Sequence, residues 1–80
     1  MNTYDAVKKR IYNLCKEKNL TINKLATSSG LSRSSLKNIL YGKSKNPGIV
    51  TLKIICDGFG ISLIDFFDDD IFKKLEQEII

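Results

Sequence analysis

The sequence predicts an all-α domain of five helices followed by a short C-terminal helix. Apolar residues recur at spacings of three, four and seven along most of the chain, no stretch alternates with the period of a β-strand, and glycines fall where apolar segments end. A chain of 80 residues forms one domain around a single core.

The first helix is predicted from about Tyr4 to Lys18, with Thr3 as its N-cap. Its apolar face consists of Tyr4, Val7, Ile11, Leu14 and Cys15. A second, short helix from Ile22 to Ser28 or Ser29 follows, because the Thr21 side chain can accept a backbone N–H at its start. Its inward residues are Leu25 and Ala26.

Gly30 ends the second helix, since glycine adopts the positive φ that a sharp turn requires. Ser32 then caps a third helix over Arg33–Tyr41, and Leu31 is expected to fill the angle between the two helices. At about 100° per residue, the third helix divides into two faces. One face carries Arg33, Ser34, Lys37, Asn38 and Tyr41, and the other carries Ser35, Leu36, Ile39 and Leu40.

A basic loop from Lys43 to Gly48 leads to a fourth helix, from Ile49 or Val50 to Phe59. Its buried residues are predicted to be Leu52, Ile55, Cys56 and Phe59. Ser62 and Asp65 have capping-box spacing and open a short fifth helix through Phe67. Asp68, Asp69 and Asp70 then favour the start of a C-terminal helix over about residues 70–80.

The charge is distributed asymmetrically. Up to Cys56 there are 11 Lys and Arg residues against two acidic ones, a balance of +9, and the remainder has two Lys against seven acidic residues, a balance of −5. A basic body of this kind favours a polyanionic partner. The alternative is that the lysines serve only solubility.

Composition argues against several classes of function. No run approaches the roughly 20 apolar residues of a membrane span, and the first ten residues are polar, so we expect a cytoplasmic protein. Cys15 and Cys56 lie on apolar helical faces, which favours free thiols over a disulfide. The chain has no His, so no base near neutral pH is present and a zinc site would lack ligands.

The acidic and hydroxyl residues do not form a recognisable catalytic or metal motif. Asp68–Asp70 lack the alternate spacing and terminal Glu of a calcium loop, and the serines around Ser34 have no general base to activate them. We therefore expect no enzymatic activity, no metal, no cofactor and no small-molecule ligand.

The polar face of the third helix is the strongest functional signal. A helix about 10–12 Å across fits a major groove about 12 Å wide. Arg33 and Lys37 suit guanine O6 and N7, Asn38 suits an adenine edge, and Ser34 suits a base or a phosphate. Each of these residues has an alternative role as a phosphate contact or a solvated surface residue.

The stretch from Thr21 to Lys43, with Asn46-Pro47 and the segment from Phe59 to Leu63, resembles the Cro/C1-type (XRE) helix-turn-helix regulators. The resemblance extends over about Val7 to Phe67. Its most specific parts are Leu25-Ala26 with Gly30, Leu36, Ile39, and the loop from Gly42-Lys43 to Asn46-Pro47. It implies a lambda-repressor-like five-helix domain with its motif at about 21–41, binding double-stranded DNA as a homodimer and acting as a repressor of transcription.

By position, the resemblance implies base contacts at Arg33, Ser34, Lys37 and Asn38. The predicted phosphate contacts are Thr21, Ile22, Asn23, Ser32, Tyr41, Lys43 and Lys45. Ile22 stands where the family often has Gln, and Leu40 stands where it often has an acidic residue. We therefore expect Leu40 to join the core.

The C-terminal segment is rich in apolar residues, for which we predict a dimer interface made of Phe66, Phe67, Ile71, Phe72, Leu75 and Ile79. Part of this stripe is expected to cover the domain's own core. The alternative is a protein-interaction or antitoxin-like module that uses the same fold and binds its partner through the stripe.

Overall fold

The computed structural model describes residues 1–79. It contains five α-helices and one 3₁₀ helix: α1 (Thr3–Glu17), α2 (Ile22–Ser29), α3 (Arg33–Leu40), α4 (Ile49–Phe59), α5 (Leu63–Phe67) and the C-terminal 3₁₀ helix (Asp70–Lys74). No strand occurs in this part of the chain. The predicted all-α class is confirmed, and each α-helix starts and ends close to its predicted bounds.

Side-chain caps set most of the helix starts. Thr21 accepts the N–H of Lys24 at the start of α2, and Ser62 forms a complete capping box with Asp65 at the start of α5. The predicted cap at Thr3 is wrong. Asn2 caps α1 instead, accepting the N–H of Asp5 at 2.8 Å, because the helix begins one residue earlier than its apolar pattern.

The core lies between α1, α2, α4 and α5, with the apolar face of α3 against it. Its fully buried large side chains are Ile11, Leu25, Leu36, Ile55, Cys56 and Phe66. The helices α2 and α4 lie close together at Gly58, where an added Cβ would lie 2.8 Å from the Cβ of Ser29. Glycine is required at this crossing, since any side chain there would force the two helices apart.

The C-terminal segment departs from the prediction. The helix expected over about 70–80 is wrong: a single 3₁₀ turn ends at Lys74 and the chain continues extended from Leu75. The N–H of Glu76 donates to the Met1 carbonyl, and the Glu78 carboxylate accepts the N–H of Thr3 at 3.1 Å. Residues of this segment therefore form hydrogen bonds with the start of α1 in place of the helical hydrogen bonds that were predicted. Ile80, the last residue of the predicted helix, lies outside the described residues.

The contact with α1 affects the ionisation of Glu78. Hydrogen bonds from the backbone and side chain of Thr3 stabilise the carboxylate and lower the pKa of Glu78. The contact is therefore complete at neutral pH and is lost only as the pH falls through that lowered pKa.

Candidate nucleic-acid interface

The helices α2 and α3 are held at a fixed angle by their connecting turn. Gly30 ends α2 with φ at 76°, Leu31 is half-buried against the core, and Ser32 caps α3 by accepting the N–H of Ser35 at 3.0 Å. Leu36, Ile39 and Leu40 on α3 are buried, so this helix is anchored along one face. The expectation that Leu40 joins the core is confirmed.

The opposite face of α3 carries the four residues predicted to read bases. Arg33, Ser34, Lys37 and Asn38 are all exposed, and Tyr41 follows them at the C-cap. Neither Arg33 nor Lys37 belongs to a salt bridge within residues 1–79. The structure thus brings the predicted residues together on one accessible, positively charged face. That they contact bases stays a prediction.

The helix starts offer further donors to an anion. The amides of Ile22 and Asn23 occupy the first two positions of α2 and have no acceptor within their own helix. The Ile22 side chain packs against the core, so the contact predicted there depends on its backbone N–H. The hydroxyl of Ser32 donates to that of Ser35 at 2.8 Å and accepts the Ser35 N–H as the cap of α3, and its contact with a phosphate stays a prediction.

The basic loop after α3 is tied to that helix. Gly42 has a φ of 89°, which lets the chain turn, and the N–H of Ser44 donates to the Asn38 carbonyl at 2.8 Å. Lys43 and Lys45 flank Ser44 and are exposed. The two predicted phosphate contacts of this loop therefore lie on either side of a residue that is hydrogen bonded to α3.

Arg10 is one of the 11 basic residues counted up to Cys56, but its charge does not lie on the surface. It is 8% exposed, and its Nε and Nη2 donate to the carbonyls of Phe66 and Asp65 at 2.8 and 2.9 Å. Nη1 pairs with Asp69 at 3.1 Å. The helical spacing to Val7 and Leu14 places Arg10 on the buried face of α1, and that spacing is the signal which the charge count overlooked.

The predicted dimer interface is wrong at Phe66, which is completely buried in the core of its own chain. Phe72 is half-buried against the same core, and Ile71 and Leu75 are also half-buried. Phe67 and Ile79 are exposed, as an interface requires. Three further apolar residues that the sequence analysis did not single out, Ile49, Val50 and Ile64, are strongly exposed.

Ile49, Leu63, Ile64 and Phe67 line one open groove between α4 and α5, and Val50 follows Ile49 at the start of α4. We call Ile49, Val50, Ile64 and Phe67 the apolar surface. Of its members, Ile64 is 82% exposed. A cluster of this kind on a domain whose other exposed residues are mainly polar indicates a surface for association.

The cysteines and the acidic residues were also considered as candidate sites. Cys15 and Cys56 are free and buried, and desolvation raises the pKa of both thiols. Within residues 1–79, no three His, Cys, Asp or Glu side chains are grouped in a way that could hold a metal ion. None of the helices described is both long and apolar enough to cross a bilayer.

Two short helices joined by a tight turn, the second presenting an exposed polar face, define a helix-turn-helix domain. The profile of the Cro/C1-type HTH DNA-binding domain matches residues 10–70, and the chain belongs to this family. The protein is therefore a DNA-binding domain of the transcription-regulator class, with DNA as its partner.

Two solved structures support this assignment. The prophage Lp1 protein 11 is 37% identical, with a TM-score of 0.79 over 94% of this chain and 100% of its own. The restriction-modification controller protein C.Esp1396I is 28% identical, with a TM-score of 0.75 over 94% of this chain and 95% of its own. No curated protein sequence is significantly similar to the chain.

Proposed function

We propose that this protein is a sequence-specific repressor of transcription that inserts α3 into the DNA major groove. The observation that carries the proposal is the clean division of α3, with Leu36, Ile39 and Leu40 buried and Arg33 and Lys37 exposed without salt-bridge partners in the described chain. A bound domain would block access to its operator. DNA as the partner makes the cytoplasm the proposed site of action.

The base contacts are assigned to the first two turns of α3. Recognition helices point their N-terminal residues at the bases, which favours Arg33 and Ser34 as the innermost readers. Lys37 lies one turn further along and suits a guanine edge, and Asn38 suits adenine. These assignments agree with the exposure of all four side chains.

The phosphate contacts are assigned to two groups outside α3. The first comprises the Thr21 hydroxyl and the amides of Ile22 and Asn23, at the positive end of the α2 dipole. The second comprises Tyr41 and the exposed loop lysines, Lys43 and Lys45. Contacts from both groups would fix the position of α3 in the groove without carrying sequence information.

Selection of bound duplexes from a random DNA library tests the proposal, followed by affinity measurements on three variants. We expect Arg33→Ala to cost about 1–3 kcal/mol at one base position and to relax specificity there. Lys43→Ala or Lys45→Ala should weaken binding to all sequences alike and reduce the salt slope by about one. The two lysine variants are matched controls for the loss of a positive charge.

Equal, sequence-independent losses for all three variants would contradict base readout by Arg33. Recovery of duplexes with no shared sequence would contradict specific binding altogether. That second result would favour the protein-interaction module, for which the apolar surface is the supporting observation.

We further propose a homodimer joined through the apolar surface. Two recognition helices must lie about 34–36 Å apart to read half-sites one turn apart, which requires a symmetric joint. The domain measures 37 × 24 × 20 Å, so two copies in contact can satisfy this separation. Ile49, Ile64 and Phe67 are exposed and line the same groove, and Val50, which follows Ile49, is exposed as well.

Ile64→Lys is expected to convert the dimer into a folded monomer, because it places a charge in the middle of an apolar contact. Sedimentation at high micromolar concentration measures the change, and Gln77→Lys, an exposed polar position in the C-terminal segment, is the control for added charge. A wild-type protein that sediments as a monomer would contradict the homodimer.

A further inference from the structure

Three carbonyls at the C-terminal end of α3 accept hydrogen bonds, one from the helix's own C-cap residue, one from the basic loop and one from α1. The Lys37 carbonyl accepts the N–H of Tyr41 at 2.8 Å, and the Asn38 carbonyl accepts the N–H of Ser44 at 2.8 Å. The Ile39 carbonyl accepts the hydroxyl of Tyr4, a residue of the first turn of α1 that lies 35 positions earlier. The last carbonyls of a helix have no partner within the helix, so the Ser44 amide and the Tyr4 hydroxyl take the place of water there.

Tyr4 also contacts the elements around the end of α3. Its ring is half-buried and lies beneath the Lys8 ammonium, which is 5.2 Å from the ring centroid. Tyr4 also lines a groove shared with Lys45 and Pro47 of the basic loop. One side chain of α1 therefore contacts the end of the recognition helix and borders the loop that follows it.

We propose that Tyr4 is a positioning residue for base readout, a role that rests on the proposed function. The helix α3 has only eight residues, too few to be stable by itself, so its last turn depends on contacts from outside. The Tyr4 hydroxyl and the Ser44 amide hold that turn, and with it the backbone of Lys37, Asn38 and Ile39. Without the hydroxyl, Lys37 and Asn38 would move relative to Arg33.

Such movement would affect specific binding more than general binding. Hydrogen bonds to base edges require the donor at a defined place and angle, so fraying of the last turn weakens them. Phosphate contacts by lysine are long-range and tolerant of geometry, and they supply most of the affinity for random DNA. Tyr4 therefore affects the ratio of operator affinity to random-DNA affinity, and it does not change both affinities by the same factor.

Tyr4→Phe is the test, because it removes one hydroxyl and keeps the ring beneath Lys8. Affinity is measured for the selected operator and for random duplex of the same length at the same salt. We expect the operator affinity to fall about three- to tenfold, the change that corresponds to one hydrogen bond, with random-duplex affinity within about twofold of wild type. Tyr12→Phe removes a hydroxyl from the same helix and should leave both affinities unchanged.

Amide hydrogen exchange gives a second result that does not depend on DNA. In Tyr4→Phe, the amides of Tyr41 and Ser44 should exchange about two- to tenfold faster, because they donate to the same turn that the hydroxyl secures. The amides of α2 should keep their wild-type rates. Circular dichroism confirms that the variant remains folded.

Three outcomes separate this inference from the function on which it rests. Unchanged exchange at Tyr41 and Ser44 would overturn the role of Tyr4 even if the protein binds no specific site. Equal losses for operator and random duplex would overturn it as well, since they indicate a general structural defect. A wild-type protein without a preferred sequence contradicts the proposed function, while faster exchange in Tyr4→Phe would still support Tyr4 as the residue that secures α3.

Discussion

Replacing Phe66 with alanine should cost about 3–5 kcal/mol of unfolding free energy, the range for loss of a buried aromatic ring. Phe66 is completely buried, and its ring centroid lies 5.0 Å from that of Phe67 and 6.0 Å from that of Phe72. Alanine would leave a cavity where α5 packs on the core. A domain of this length has a total stability of about 4–12 kcal/mol, so this one change removes a large share of it.

Urea unfolding monitored by circular dichroism measures the loss. Phe67→Ala is the matched control, because its ring is 37% exposed and its removal should cost about 1–2 kcal/mol. The pair also distinguishes core from interface. If Phe66→Ala dissociated a dimer while leaving the folded monomer stable, Phe66 would belong to the interface after all.

The helices could be predicted because their signals are local. Thr21, Ser32 and Ser62 act on amides three residues away, and the apolar spacing of each helix lies within its own turns. The exposed face of α3 follows from the same geometry. A rotation of about 100° per residue is sufficient to place Arg33, Ser34, Lys37 and Asn38 together on that face.

The features that sequence reasoning missed depend on contacts between distant parts of the chain. Glu78 accepts a hydrogen bond from Thr3, 75 positions away, and this contact replaces the helix predicted at the C-terminus. Phe66 is buried in a core that includes residues of α1, and its ring lies 6.0 Å from that of Phe72 in the 3₁₀ helix. The spacing within α4 predicts its buried face correctly, whereas the burial of Phe66 depends on these distant contacts.

Arg10 is the clearest instance of such a distant contact, and Arg10→Met should cost about 2–3 kcal/mol of unfolding free energy. Methionine keeps the apolar stem and removes the guanidinium, which leaves the carbonyls of Asp65 and Phe66 without their donor. The pair with Asp69 adds little to this figure, since the Asp69 side chain is 32% exposed and its charge is screened by water.

Urea unfolding measures this loss, with Lys9→Met as the control, an exposed neighbour on α1 whose change should stay within about 0.5 kcal/mol. DNA binding provides the complementary test under conditions where the variant is folded. Because the guanidinium faces α5 rather than solvent, Arg10→Met should leave the salt slope of DNA binding unchanged, whereas Lys43→Ala should lower it by about one. A lower slope in Arg10→Met would mean that this charge reaches the phosphates, contrary to its buried position.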